Sequence, residues 1–412
     1  MTNFYKKTFA IIYLIFFTLS LSMPVYAAVQ GVNGNYPPVV LSKGAMVFDS
    51  ARGQILYKSN SEDKASLPIA SDIMTILVAV EKVKLDTKVT ISEQVKAVDS
   101  NEILFDKGVK YGMDELLLSL ILSPTSNVSN SIAHYITSDY DKFVILMNEK
   151  AKLLGMTNTT FTAPSSYDSG DLKLSLDDFS KLVRAAINNP IIDSFLSTSA
   201  KPWISKDGTH VLINPNKLFW MGLEGINGGT YQSIKGNGNS ITTASREGQK
   251  LITIITGSNG DGAFTDTVNL MNYCFSKYNK SLLVAKDTIL SEIDFAGNPL
   301  PLASMEDVYY THPVGNSFIK SLDFKVKNDI KTPITESSVL GTARYTLSDD
   351  TAIEVNLYSK TDIKADKNKL NELKIRLLDN KDVLYFILIL CFVELILVIN
   401  NLRKKIFKRK SA

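Results

Sequence analysis

The sequence predicts an α/β fold in which an antiparallel sheet is flanked by helices, followed by a small all-β domain and a C-terminal transmembrane helix. Three observations predict it. Up to Ser281, strand-like runs stand at both ends and helical spacing fills the middle. From Leu282 to about Lys360 the texture changes to short β-type runs separated by turn residues. Val383 to Asn400 is an apolar run of roughly the length that crosses a bilayer.

In chain order, Lys6 and Lys7, the apolar run Phe9–Leu21 and the small-residue pattern Val25-Tyr26-Ala27 read as a signal peptide over 1–27, cleaved after Ala27. Ala45-Met46-Val47-Phe48 and Gln54-Ile55-Leu56-Tyr57 flank Asp49-Ser50-Ala51-Arg52-Gly53 and predict a hairpin. Ile73, Ile76, Leu77 and Val80 recur at i, i+3, i+4, i+7, the spacing of a helix with one face in a core. Lys88–Ile91 reads as a short strand, and Asp114–Leu122, Ser129–Ile136 and Asp141–Leu154 as helices, the last ended by Gly155. Asp177–Asn188 is a further helix with Ser175 as its cap. Lys250–Gly257 is an apolar strand and Asp266–Tyr278 a helix behind it.

The sheet-and-helix domain is placed at 38–281 and the β domain at 282–360. Thr361 to Asp382, charged but with Leu370, Leu373 and Leu377 at helical spacing, is a stalk leading to the 383–400 span. Arg403, Lys404, Lys405, Lys408, Arg409 and Lys410 follow the span and place the 401–412 tail on the cytoplasmic side, with the main domains outside. Glu394 lies inside the span, where an ionisable group marks either a contact with an envelope partner or a protonated side chain tolerated by lipid.

The 412 residues carry a formal charge of only +3, and the visible basic cluster is terminal, which argues against a nucleic-acid partner. Cys274 and Cys391 fall on opposite sides of the membrane boundary, so no disulfide joins them. His134, His210 and His312 show no paired ligand spacing, and the sequence calls for no metal or other cofactor.

The stretch Ser66-Leu67-Pro68-Ile69-Ala70-Ser71-Asp72-Ile73-Met74-Thr75 resembles the Pro-x-Ala-Ser-x-x-Lys-Ile-Met-Thr segment of the D-alanyl-D-alanine carboxypeptidases, the low-molecular-mass penicillin-binding proteins. Phe143-Val144-Ile145-Leu146-Met147-Asn148-Glu149-Lys150, followed by Leu154-Gly155-Met156-Thr157-Asn158-Thr159, is close to the same family's wording, and the likeness extends from Pro38 to Lys360. It implies a penicillin-binding, beta-lactamase-like fold with a small C-terminal β domain. The activity it implies is removal of the terminal D-alanine of peptidoglycan stem peptides through a serine acyl-enzyme.

A serine hydroxyl needs a base, and one helical turn along, a lysine serves. Here the lysine is missing. Aligning on Ala70-Ser71 makes Ser71 the vestigial nucleophile and puts Met74 at the lysine position; aligning on Ile73-Met74-Thr75 puts Ile69 at the serine position and Asp72 at the lysine position. Lys82 is ~16 Å further along the helix. Without a base, Ser71 reads as a helix N-cap with Asp72 in the first turn.

The middle motif, Ser-x-Asn, corresponds either to Thr125-Ser126-Asn127, with Asn127 as the vestigial amide, or to Pro124-Thr125-Ser126, which keeps neither group. The Lys-Thr-Gly motif, which holds the substrate carboxylate in the family, is replaced by Asn227-Gly228-Gly229, read most simply as a turn. The Asn-Pro-His-Gly loop becomes Ala163-Pro164-Ser165-Ser166. These losses, with the core segments kept, point to a catalytically inactive homologue acting as a binding or scaffold protein, with peptidoglycan or its stem peptides as candidate partners. The alternatives are an active carboxypeptidase with a rearranged site and a spacer that only positions the β domain.

Overall fold

The computed structural model describes residues 36–60, 64–92, 105–170, 172–205, 208–315, 318–364, 385 and 389–399. Contacts divide it into two compact units, with the division after Ser281 and Thr311–Ser317 returning to the first.

In the first unit the chain runs through β1 (Gly44–Asp49), β2 (Ile55–Ser59), β3 (Ala65–Ser66), α1 (Ile69–Lys82), β4 (Lys88–Thr90) and β5 (Lys110–Gly112). Then follow α2 (Met113–Leu122), α3 (Ser126–Thr137), α4 (Tyr140–Leu153), β6 (Lys173–Leu174), α5 (Leu176–Ile187) and α6 (Pro190–Leu196). The unit is completed by the hairpin β7 (Ala200–Ser205) and β8 (Gly208–Ile213), a 3₁₀ turn at Lys217–Trp220, β9 (Ile226–Ile234), β10 (Asn237–Arg246), β11 (Gln249–Ser258) and α7 (Gly262–Lys277).

Its main sheet is antiparallel with the order β2-β1-β11-β10-β9, and pairs Gly44 with Thr256 through Asp49 with Leu251 at its centre. Both faces are covered, so Ala45–Phe48 of β1 and Leu251–Ile255 of β11 are buried on both sides, with Thr253 the one polar residue among them. Met46, Phe48, Ile252 and Ile254 join the core shared with the helices, whereas Ala45, Val47, Leu251 and Ile255 meet Ala263, Leu270 and Cys274 of α7. The alternation is the period of two that a strand imposes. Burial pushes the Cys274 thiol up to about 12, so it stays protonated. The Asp266 carboxylate of α7 accepts from Leu41 N, Ser42 N and Ser42 Oγ, tying the incoming chain to the back of the sheet.

Helix α1 is buried from Ile69 to Ala79, the expected state of a helix that other elements surround. The predicted helices are present with longer N-termini: α3 begins at Ser126 rather than Ser129, and α7 at Gly262 rather than Asp266. Ser175 caps α5 by accepting from Asp178 N at 3.2 Å, and Gly155, at φ +73°, follows α4.

The second unit holds β12 (Tyr278–Val284), β13 (Ile289–Phe295), β14 (Asn298–Ala303), β15 (Val308–Pro313), β16 (Ile319–Val326), β17 (Val339–Leu347) and β18 (Ala352–Ser359), some of whose residues count with the first. Its five-stranded antiparallel sheet has the order β13-β14-β18-β17-β16. Ile353, Val355 and Leu357 of β18 point into a core with Leu340, Tyr345 and Leu347 of β17.

Among the described residues no helix is long and apolar enough to cross a membrane. Of the predicted 383–400 span, Tyr385 and residues 389–399 are described, are helical and are exposed. The signal segment, residues 365–382 of the stalk and the basic tail lie outside the described residues.

Candidate functional site

Helix α1 starts abruptly because Pro68 supplies a helical φ of −56° at the N-cap and has no N–H to satisfy. Ala70 N donates to Leu67 O and Ser71 N to Pro68 O, a tight first turn. Ser71 is therefore the third residue of the helix. It does not cap it, contrary to the sequence reading, because Pro68 already occupies that place. The Ser71 Oγ is fully buried and has no hydrogen-bond partner among the described residues.

One residue on, Asp72 lies at the meeting of four segments. Its Oδ1 accepts from Ser129 Oγ of α3 at 3.2 Å and from Ser166 N at 3.1 Å. Its Oδ2 takes a long contact of 3.5 Å from Gln232 Nε2 of β9, which also donates to Ser166 Oγ at 2.8 Å. Gln232 Oε1 is buried without a partner among the described residues. Among the described residues every partner of the carboxylate is a neutral donor. Burial is the largest influence on Asp72 and raises it from 3.8 to about 6, against the opposing pull of the bonds from Ser166, Ser129 and Gln232.

Met74, the other candidate for the lysine position, is buried among apolar side chains. Ile69 stands one turn before Asp72 and is also core. The register that pairs Ile69 with Asp72 is thus the one that brings a polar side chain to α3 and β9.

Thr125 takes the N-cap position of α3 without a side-chain capping bond, and Asn127 is buried in the first turn with its Nδ2 donating to Phe105 O at 2.8 Å. Asn227, Gly228 and Gly229 lie in β9 and do not form the expected turn. The strand accommodates them through a bulge opposite Thr243 and Ala244 of β10. Asn227 is exposed; its Nδ2 donates to Ser245 Oγ and its Oδ1 accepts from Thr243 Oγ1, both at 2.9 Å. A Cβ on Gly228 would come within 2.4 Å of Thr243 Oγ1, and one on Gly229, at φ +130°, within 2.1 Å of Ile241 O. Asn214 Nδ2 donates to Gly229 O at 2.9 Å, so the edge of β9 is occupied at that point.

A family model described as D-alanyl-D-alanine carboxypeptidase matches residues 32–260. The chain belongs to that family. A second model, penicillin-binding protein 5, C-terminal domain, matches 278–365. The chain is 23% identical over 339 residues to the D-alanyl-D-alanine carboxypeptidase DacF of Bacillus subtilis, covering 78% of this chain and 86% of that one. Penicillin binding protein 5 from Haemophilus influenzae has a similar fold at 20% identity, with a TM-score of 0.66 over 80% of this chain and 99% of that one. A peptidoglycan synthesis regulatory factor (PBP3) from Streptococcus pneumoniae does so at 18% identity, with a TM-score of 0.64 over 79% of this chain and 100% of that one.

Within the family fold, the polar centre of this chain comprises Asp72, Ser129, Ser166 and Gln232. Of these, sequence reasoning reached Asp72 through one alignment and Ser166 through the altered loop. Ser129 and Gln232 were missed. A signal for Gln232 existed: with Thr230 it makes a period-two polar pair on the buried face of β9, where Thr230 Oγ1 donates to Ile121 O. Chemically, a carboxylate near neutrality can accept a proton from a neighbouring hydroxyl, but it cannot supply the cation that an anionic substrate needs.

Proposed function

We propose that this carboxypeptidase-family chain is a catalytically inactive homologue, held at the outer face of the membrane, that serves the cell wall as a binding or scaffold protein. The observation that carries the reading is Asp72 itself. At the centre where α1, α3 and β9 converge stands a buried acid with neutral donors around it, while Ser71, the nucleophile position of the family motif in one alignment, is enclosed and has no hydrogen-bond partner among the described residues. Loss of one member of a serine catalytic unit lowers turnover by orders of magnitude. Peptidoglycan or its stem peptides are the proposed ligands. Anchoring through the 383–400 span, with the tail inside and an envelope partner at Glu394, is supported by the exposed apolar side chains of the described 389–399 helix.

Intact-mass measurement after incubation with a labelled penicillin tests the reading. No adduct, together with retention on isolated peptidoglycan, is expected. A stoichiometric adduct that vanishes in Ser71→Ala overturns inactivity. A second reading, a working carboxypeptidase with a rearranged site, draws on the contact between Ser129 Oγ and Asp72 Oδ1 at 3.2 Å, a hydroxyl beside a carboxylate shifted toward neutrality. It requires an adduct, or D-alanine release, that survives Ser71→Ala and is lost in Ser129→Ala.

A further inference from the structure

We propose that the first unit carries a second small-molecule site, a pocket between the β7–β8 hairpin and the first turns of α2 that takes a zwitterion of amino-acid size. The cavity measures about 170 Å³ and is lined by Tyr111, Glu115, Leu118, Lys201, Trp203 and Leu212. The hairpin register places Lys201 opposite Leu212, and Lys201 and Trp203, two residues apart, share one face of β7.

The wall is rigid. Tyr111 and Trp203 stack with ring centroids 5.5 Å apart and planes 28° apart, and Phe105 meets both edge-on at 5.1 and 4.9 Å. Interlocked rings of this kind hold a fixed shape, and with Leu118 and Leu212 they offer an apolar seat.

The charges that line the pocket are opposite and unjoined. Lys201 is exposed and makes no ion pair or hydrogen bond among the described residues. Glu115 is held by one oxygen: Oε2 accepts from Gly112 N at 2.7 Å and lies 3.9 Å from Lys88 Nζ, and no bond reaches Oε1 among the described residues. The bond to Gly112 closes the start of α2 and pins the carboxylate in place. A ligand with a carboxylate for Lys201, an ammonium for Glu115 Oε1 and a short apolar body for the wall uses all three features. A free amino acid or a dipeptide has that make-up. A nucleotide does not, since it exceeds the cavity and brings several negative charges to Glu115. The pocket shares no residue with the Asp72 cluster, so the proposal stands apart from the inactive reading.

The chain has two tryptophans, Trp203 and Trp220, so Trp220→Phe in the full chain leaves Trp203 as the reporter. The probes are D-alanine and D-alanyl-D-alanine, with N-acetyl-D-alanine and D-alaninamide as analogues that each lack one charge. A saturable change in Trp203 emission is expected with at least one zwitterion. It should weaken about tenfold or more with either analogue and in Lys201→Gln, and persist in Lys201→Arg. Absence of a saturable change with both zwitterions up to about 20 mM overturns the proposal. So does an equal response to N-acetyl-D-alanine, or a Lys201→Gln protein that binds like the parent.

Discussion

Replacing Asp72 by Asn should stabilise the first unit at neutral pH, and the effect should disappear in acid. Asp72 ionises at 3.8 in an ordinary setting and at about 6 in the fold, with burial the chief cause. Between those values the folded chain holds a proton that the unfolded chain has lost, so stability falls as pH rises through the window. At 1.36 kcal/mol per pH unit, the full difference is about 3 kcal/mol, present above about pH 6 and absent below about pH 4. Asn keeps the shape and the acceptor for Ser166 N but carries no charge to desolvate. The assay is urea unfolding from about pH 4 to pH 8, followed by tryptophan emission, because Trp203 and Trp220 both belong to the first unit. Wild type should lose about 3 kcal/mol across the range relative to Asp72→Asn, and the variant should be the more stable at the alkaline end. A wild-type curve parallel to the variant's, or a variant less stable at about pH 8, would refute the reasoning, because either shows the carboxylate to be well solvated or paired.

Ser71→Ala should leave stability unchanged or raise it by up to about 1 kcal/mol in the same urea titration, because the hydroxyl it removes is buried and unbonded. Gly229→Ala should cost about 3 kcal/mol or more, since φ +130° disfavours a side chain and the new Cβ meets Ile241 O; differential scanning calorimetry would show the lowered transition. Asp266→Ala should destabilise by about 2–3 kcal/mol by stranding Leu41 N, Ser42 N and Ser42 Oγ, and proteolysis should then cut first near residue 41. In the native protein Cys274 should resist a thiol reagent until urea unfolds the domain, being buried and protonated.

The elements of the fold were legible where one face of a helix or both faces of a strand meet apolar neighbours. The β1–β2 hairpin, α2, α4 and α5 follow from periodicity and end signals within a residue or two. The β7–β8 hairpin and α6 were not anticipated, since Lys201-Pro202-Trp203 and Val211-Leu212-Ile213 lack a clean alternation and α6 spans only seven residues. For the site, residue counting left two registers for α1, because a two-residue deletion rotates a helix by about 200° without changing its composition. What separates Asp72 from Met74 is a contact with Gln232, 160 positions away, and no local pattern contains it. The Asn227-Gly228-Gly229 segment looked like a turn because glycine pairs usually make one. Its actual reason is the crowding of β10, where Thr243 Oγ1 and Ile241 O leave no room for a Cβ.

The β1–β11 pairing joins residues some two hundred positions apart, Gly44 with Thr256. A chain synthesised from its N-terminus cannot close the centre of its sheet until β11 is available, so the loop-closure entropy falls late and folding of this unit is slow and cooperative. Fragments ending before β11 would leave the edges of β1 and β10 open for pairing with other chains. Any deletion series used to map this protein should therefore keep Thr311–Ser317 with the first unit and never cut within its strands.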